Sequence, residues 1–281
     1  MQPSVLINGE ETRTIDVQDR GFQYGDGVFT SLLVHQRTPL YLDQHLRRLE
    51  RDCARLQISY PGHVLLQQDI GRLLLNGDDG QAVLKIQLTR GIGARGYGFS
   101  DTMIATRVLT LNSCPVYSAR IADEGIRITL CNTRLGINPL LAGIKHTNRL
   151  EQILARAELN HTDCLEGILL DQQGDVTEGI MTNIFLVKNA LITTPRLDRC
   201  GVSGVMRGIV MNMLRQCGKH PVETRVSLED IIQADEVFLT NSVLGIWSVA
   251  SLDHHDYFSR SVALELRKSL PQPYRNTGST A

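Results

Sequence analysis

Residues 134–152, Arg134-Leu-Gly-Ile-Asn-Pro-Leu-Leu-Ala-Gly-Ile-Lys-His-Thr-Asn-Arg-Leu-Glu-Gln152, are the most informative stretch of this chain. A turn at Gly136 to Pro139 leads into the apolar segment Leu140 to Ile144. Lys145 follows directly, just ahead of a helix N-terminus. Asn148 and Glu151 have the three-residue spacing of a capping box. Leu150, Ile153, Leu154 and Ala157 then recur as one apolar helix face. An amine in such apolar surroundings is pushed toward its neutral, nucleophilic form. A surface lysine that caps a loop fits the same residues, so spacing alone leaves both readings open.

Working outward toward the N-terminus, Val5 to Ile7 reads as a strand entering the Asn8-Gly9 hairpin signal, and Val28 to Val34 as a second strand. Leu42, Leu46, Leu49, Cys53 and Leu56 form the stripe of a helix over 42–58, and another helix spans Val64 to Leu75, closed by Asn76-Gly77. Ala82 to Arg90 and Thr102 to Leu111 read as strands around the glycine-rich segment Gly91 to Gly98. Toward the C-terminus, strands are expected at Ile126 to Asn132, Leu165 to Leu170, Val176 to Glu178, Thr182 to Val187, Glu236 to Thr240 and Ile246 to Ser251. Helices are expected at Val205 to Cys217, with Gly218 as C-cap, after the capping box Ser227 to Asp230, and at Ser259 to Lys268. Strands and helices interleave without regular alternation, which makes the fold class α+β. Two domains are expected, residues 1–112 and 122–281, with 113–121 as the linker.

The chain has 281 residues, 29 Lys+Arg against 30 Asp+Glu, and a net charge of −1. That balance leaves no basic footprint for nucleic acid or an acidic membrane. The N-terminus has no signal-peptide pattern, and no apolar run has transmembrane length. Cys53, Cys114, Cys131, Cys164, Cys200 and Cys217 are scattered without a CxxC pair. They are expected as reduced thiols of a cytoplasmic protein.

Other residues could carry chemistry. Glu178 sits between two short strands, and an inward-facing carboxylate there needs a cationic partner; the commoner case is a solvent-facing strand glutamate. Gly201-Val-Ser-Gly204 opens a helix whose free N–H groups suit a phosphate, although any glycine-rich helix entry offers as much. His45 and Arg48 flank the first helix stripe, and an ordinary polar flank with a snorkelling arginine accounts for them equally. The eight histidines show no metal-binding spacing, so no metal is expected. A P-loop and a GxSxG elbow are both missing.

Five segments together resemble the fold type IV pyridoxal-phosphate enzymes, the group that includes D-amino acid and branched-chain aminotransferases and aminodeoxychorismate lyases. They are Tyr24-Gly-Asp-Gly-Val-Phe29, His45-Leu-Arg-Arg-Leu49, Lys145, Thr177-Glu-Gly-Ile-Met-Thr-Asn-Ile-Phe185 and Gly201-Val-Ser-Gly-Val-Met-Arg207, in the family's order. Within that group, Arg90 to Tyr97 and Arg134 to Gln152 look most like the lyases. Leu150 stands where branched-chain aminotransferases usually have tyrosine.

The resemblance implies a two-domain, D-amino acid aminotransferase-like fold and pyridoxal 5'-phosphate as cofactor. It implies Lys145 as the lysine that carries the cofactor and later moves protons. Glu178 would pair with the pyridinium nitrogen. Arg48, the N–H groups of Val205 and Met206, and the Ser242 hydroxyl would hold the phosphate. Arg95 would bind a substrate carboxylate, beside Phe29 and Ser31, with Thr30 or Ser31 as a candidate proton donor. The implied reaction converts 4-amino-4-deoxychorismate to 4-aminobenzoate and pyruvate, in folate synthesis, in a homodimer. A D-amino acid or branched-chain-type aminotransferase on the same fold is the alternative. A non-catalytic binder with a vestigial cofactor site is a third reading.

Overall fold

The computed structural model describes residues 4–75, 80–118 and 120–275. It divides the chain into two compact units. One comprises residues up to Pro115 together with Lys145–Asn148; the other comprises Val116–Ile144 and everything from Arg149 onward. The expected division assigned 122–281 to one domain, whereas the four residues Lys145–Asn148 return to the first unit. Their backbone supplies the reason. Phe29 N–H donates to Lys145 O (2.9 Å) and Thr147 N–H to Gly27 O (2.9 Å), so this short segment pairs with the start of a strand of the first unit.

The first unit contains β1 (Ser4–Ile7), α1 (Arg20–Tyr24), β2 (Gly27–His35), β3 (Thr38–Pro39), α2 (Leu42–Arg55), α3 (His63–Leu75), β4 (Gln81–Thr89) and β5 (Thr106–Ser113). Its sheet is antiparallel with the order β1-β5-β4-β2-β3. Val28 and Leu32 of β2, Leu84, Ile86 and Leu109 are fully buried, as are Leu46, Leu49 and Cys53 of the expected α2 stripe. β5 starts at Thr106 rather than Thr102, because the preceding residues turn: Met103 N–H donates to Ser100 O, and the Ser100 and Thr102 hydroxyls bond each other. The expected helix stop at Asn76-Gly77 lies outside the described residues.

The second unit contains α4 (Ile121–Glu124), β6 (Ile126–Leu135), α5 (Leu150–Glu158), β7 (Glu166–Asp171), β8 (Val176–Gly179), β9 (Asn183–Lys188), β10 (Leu191–Pro195), α6 (Val205–Gln216), β11 (Val222–Thr224), α7 (Leu228–Ile232), β12 (Glu236–Asn241), β13 (Gly245–Leu252), β14 (His255–Asp256), α8 (Ser261–Ser269) and α9 (Gln272–Arg275). The sheet path is β11-β10-β9-β12-β13-β6-β7-β8, with β14 on β13, and it mixes parallel and antiparallel pairs. Strands covered on both faces read as continuous apolar runs, as in Ile184 to Val187 and Val237 to Leu239. Trp247, Ile128 and Ile168 sit at the centre of this core. The Ser227–Asp230 capping box forms as expected. The fold class is α+β.

Helix α5 corrects two expectations. Its N-cap is Arg149 without a side-chain cap bond. Glu151 instead accepts from Gly136 N–H (2.7 Å), and Asn148 Nδ2 donates to Gly25 O (2.9 Å), so both halves of the expected capping box are engaged elsewhere. The apolar face is not the buried one either. Leu150, Ile153 and Leu154 are 75%, 61% and 62% exposed, while Ala155 and Leu159 pack with Cys131, Leu135 and Leu169. Two carboxylates set this rotation. Glu151 and Glu158 bond the backbone of Gly136, Asn132 and Thr133, and so turn their own side of the helix toward β6.

Candidate active site

The candidate residues gather in two clusters, one in each unit. In the first, α2 packs on β2, whose alternating side chains place Val28, Thr30 and Leu32 on one face and Phe29 and Ser31 on the other. Thr30 is fully buried. Its hydroxyl accepts from Arg48 Nη2 and lies 2.6 Å from His45 Nδ1. A hydroxyl has one proton and two lone pairs, so beside Arg48 it can either give its proton to an unprotonated His45 Nδ1 or accept from a protonated one. Burial, reinforced by the charges of Arg48 and Lys145, pushes the His45 pKa well below its ordinary value, which makes the ring neutral. Thr30 is thus enclosed between Arg48 and His45, whereas Ser31, the other residue of the expected pair, lies on the opposite face of β2.

Arg48 is 7% exposed, and its Nε has no hydrogen-bond partner among the described residues. Burial lowers its pKa to about 10, with Asp52 acting in the opposite sense. The polar-flank reading of this arginine is thereby replaced: it is a buried cation with unused donor capacity, suited to an anion. Asp52, one turn further along α2, holds Arg51 through Oδ1 and accepts the Lys145 backbone N–H through Oδ2 (3.0 Å). Lys145 Nζ lies 4.6 Å from the centre of the Phe29 ring. One helix thus presents an anion site and fixes the lysine backbone. Sequence reasoning named Thr30 as a candidate proton donor and not as a partner of Arg48 and His45, and it missed Asp52. Asp52 had a signal, since it stands four residues after Arg48 on one helix.

Arg95 is exposed in the loop after β4 and makes no ion pair among the described residues. Arg90 at the root of that loop is buried. It grips both oxygens of Asp26 and the Leu56 and Gln57 carbonyls that end α2.

In the second unit, Glu178 of β8 is 4% exposed, so the solvent-facing reading does not hold. Its Oε2 accepts from Val202 N–H (2.8 Å), and its charge supports the cationic form of Arg149 against burial. The same turn delivers the helix entry: Gly204 is the N-cap of α6 with no side-chain cap bond, and the first intrahelical donor is Gly208. The Val205 and Met206 N–H groups therefore have no partner within the helix and stand at its positive end. Gly204 is required by close approach, because a Cβ there would overlap Asn183 Oδ1, whose own Nδ2 donates to Val202 O.

Asn183 pairs in register with Thr240, a buried residue whose hydroxyl has no hydrogen-bond partner among the described residues. Ser242 follows in the β12–β13 turn, which Asn241 Oδ1 and a bond from Tyr274 hydroxyl to Ser242 O hold in place. No His, Cys, Asp and Glu group of metal-binding composition occurs among the described residues. The six cysteines are free.

The first unit thus holds a lysine fixed by its backbone and a buried arginine with unused donor capacity, and the second a buried glutamate near an uncapped helix N-terminus. The chain belongs to the amino-transferase class IV family, whose model matches residues 27–252. It is 36% identical over 249 residues to the aminodeoxychorismate lyase of Vibrio harveyi, covering 88% of this chain and 90% of that one. It is 31% identical over 266 residues to the aminodeoxychorismate lyase of Bacillus subtilis, covering 92% and 89%. Among solved structures, 4-amino-4-deoxychorismate lyase from Pseudomonas aeruginosa superposes with a TM-score of 0.90 at 39% identity, covering 94% of this chain and 97% of that one.

Proposed function

We propose that this protein is a pyridoxal-phosphate-dependent lyase that converts 4-amino-4-deoxychorismate to 4-aminobenzoate and pyruvate. The observation that carries the reading is Arg48, a buried guanidinium with an unpartnered Nε, on the helix that also fixes the Lys145 backbone. Its similarity to named lyases in Vibrio, Bacillus and Pseudomonas gives the reaction.

The residues fit the cofactor. Arg48 is the phosphate ligand the first unit would offer, and the Val205 and Met206 N–H groups and the Ser242 hydroxyl are those the second unit would offer. Glu178, held by Val202 N–H, would keep the ring nitrogen of the cofactor protonated. Pyridoxal phosphate, when bound, supplies a sink for the electron pair left by C–H cleavage. Lys145 would carry the cofactor and would then take the proton from C4 of the substrate. The ring C–O bond would then break with the pair going to oxygen, the departing enolpyruvate would take a proton on its methylene carbon to become pyruvate, and the carbocycle would become aromatic. Arg95 binds a substrate carboxylate, and Phe29 and Ser31, on one face of β2, line the substrate. The exposed apolar face of α5, with Leu140 at 81% exposure, supports a homodimer in which a second copy covers it. A cytoplasmic location agrees with the free cysteines, and no helix among the described residues is long and apolar enough to cross a membrane.

The test is stoichiometric. Purified enzyme given 4-amino-4-deoxychorismate, without any 2-oxo acid, is expected to release pyruvate over many turnovers. Lys145→Ala is expected to lose both the visible absorbance of the loaded enzyme and turnover. Amino transfer from D-alanine or leucine with no pyruvate release would replace the lyase by an aminotransferase.

A further inference from the structure

Arg20 is not among the residues assigned above, yet it is 3% exposed and spends its whole guanidinium on one loop and one carboxylate. Nε donates to Asp26 Oδ2 (2.9 Å). Nη1 donates to Gly96 O (2.8 Å) and Gly98 O (3.3 Å), and Nη2 to Tyr97 O (3.3 Å). Three consecutive carbonyls of a surface loop are therefore held by one buried cation. Charge-assisted bonds of this kind are stronger than neutral ones, and the planar fork cannot be reproduced by an ammonium.

The rest of the loop is built around that side chain. Arg20 N–H donates to Gly91 O, and the Arg20 guanidinium carbon stands 4.9 Å from the centre of the Tyr24 ring. The Tyr24 hydroxyl in turn accepts from Gly96 N–H (3.1 Å). Gly93 leaves room for the Arg20 stem, since a Cβ there would lie 2.9 Å from Arg20 Cδ, and Gly96 has a φ of +100°. While the backbone is held in this way, the side chains of Arg95 and Tyr97 remain exposed. Asp26 also pairs with Arg90, which caps the C-terminal end of α2, the helix that carries Arg48. The pairs to Arg90 and Arg20 outweigh burial and lower the Asp26 pKa, so the carboxylate stays charged between them.

We propose that Arg20 is a positioning residue: it clamps the 91–98 backbone and so presents the Arg95 guanidinium at one place for the substrate's carboxylate. This rests on Arg95 as the carboxylate ligand of the lyase reading. A side chain on a loosened loop must be ordered when substrate binds, and the loss appears in KM, because nothing at Lys145 changes.

The experiment compares holoenzymes of wild type, Arg20→Met, Arg95→Ala and the double variant. Limited trypsin digestion with mass spectrometry reads the Arg95–Gly96 bond. It is expected to be cut on the order of tenfold faster in Arg20→Met, by local opening, while cleavage after Arg72 in α3 keeps its wild-type rate. With 4-amino-4-deoxychorismate, Arg20→Met is expected to raise KM by about tenfold or more, with kcat and the cofactor absorbance little changed. In the Arg95→Ala background the same substitution is expected to add less than about twofold, because the two act through one contact.

Unchanged cleavage at Arg95, or KM effects that multiply in the double variant, overturns the proposal. Equal acceleration at Arg72 also overturns it, since Arg20 would then be a general stabiliser of its unit. An unchanged KM in Arg95→Ala overturns the carboxylate role itself. That failure is recognisable because the selective cleavage in Arg20→Met would remain.

Discussion

Thr30→Val separates a functional hydroxyl from a packing residue. Valine keeps the volume of Thr30 on the buried face of β2 but removes the oxygen that links Arg48 Nη2 to His45 Nδ1. Both groups are buried, and neither gains a replacement: Arg48 Nε and His45 Nε2 already have no partner among the described residues. An unsatisfied buried polar group costs ~1–3 kcal/mol, more when it is charged. One neutral imidazole nitrogen and one guanidinium N–H together therefore cost on the order of 3–5 kcal/mol. That is a large share of the ~5–15 kcal/mol that holds a typical domain folded. Urea unfolding of the variant followed by circular dichroism measures it. Thr30→Ser is the control, since it keeps the oxygen and loses only a methyl, at about 1 kcal/mol. Titration of the apoprotein with pyridoxal phosphate, read by absorbance, is expected to show an affinity about tenfold lower in Thr30→Val, or about 1.4 kcal/mol. If Thr30→Val stays within about 1 kcal/mol of wild type and binds cofactor equally well, the hydroxyl is not the link between Arg48 and His45.

Two further predictions concern the second unit. Burial raises the Glu166 pKa from 4.5 to about 7, against bonds from the Gly167, Met181 and Ile180 N–H groups. An acid raised in the folded state contributes stability that is complete below its unfolded pKa and is lost as pH rises through the folded one. Wild type is therefore expected to lose about 3 kcal/mol relative to Glu166→Gln between about pH 5 and pH 8, in denaturant melts; parallel pH profiles would discount the shift. Gly204→Ala and Gly208→Ala form a contrasting pair. The first forces a methyl into Asn183 and is expected to weaken cofactor binding and lower Tm, whereas nothing lies within 4 Å of a Cβ at Gly208. Gly208→Ala is expected to gain up to ~1 kcal/mol from helix propensity, and a melt showing equal effects would contradict the helix-entry geometry.

Some of this molecule is legible in the sequence for definite physical reasons. The α2 stripe is visible because Leu46, Leu49 and Cys53 repeat with the helix and are fully buried. The same periodicity is blind to His45, Arg48 and Asp52, which run beside the stripe and are buried only because Thr30 and the Lys145 backbone meet them. The α5 stripe misleads, because Glu151 and Glu158 decide the rotation of that helix through backbone bonds that no apolar pattern records. The β9–β10 hairpin is invisible for a local reason: its turn residues, Asn189 and Ala190, adopt positive φ without a glycine. Helix α1 is five residues long and contains Gly21, so no periodicity marks it; only the Asp19 side chain, which accepts from Gly21 N–H, announces it. The family motifs pointed to Lys145, Glu178 and Arg48, but the partners that fix these groups are spread over distant residues. Spacing along the chain cannot reveal them.

The return of Lys145–Asn148 to the first unit governs the order in which this protein can be assembled. During synthesis the chain to Pro115 emerges well before Lys145, and domains generally fold as they are completed. Until Asn148 follows, Phe29 N–H and Gly27 O lack the partners that Lys145 and Thr147 supply, and Asp52 Oδ2 waits for an N–H. The edge of the nascent sheet at β2 thus stays open while the β6 strand and the apolar run to Ile144 are being made. A truncation at Pro115 would keep every strand of the first sheet yet leave that edge unpaired. The lysine proposed to carry the cofactor is accordingly the closing piece of its unit, since its backbone finds its partners only as the first unit completes.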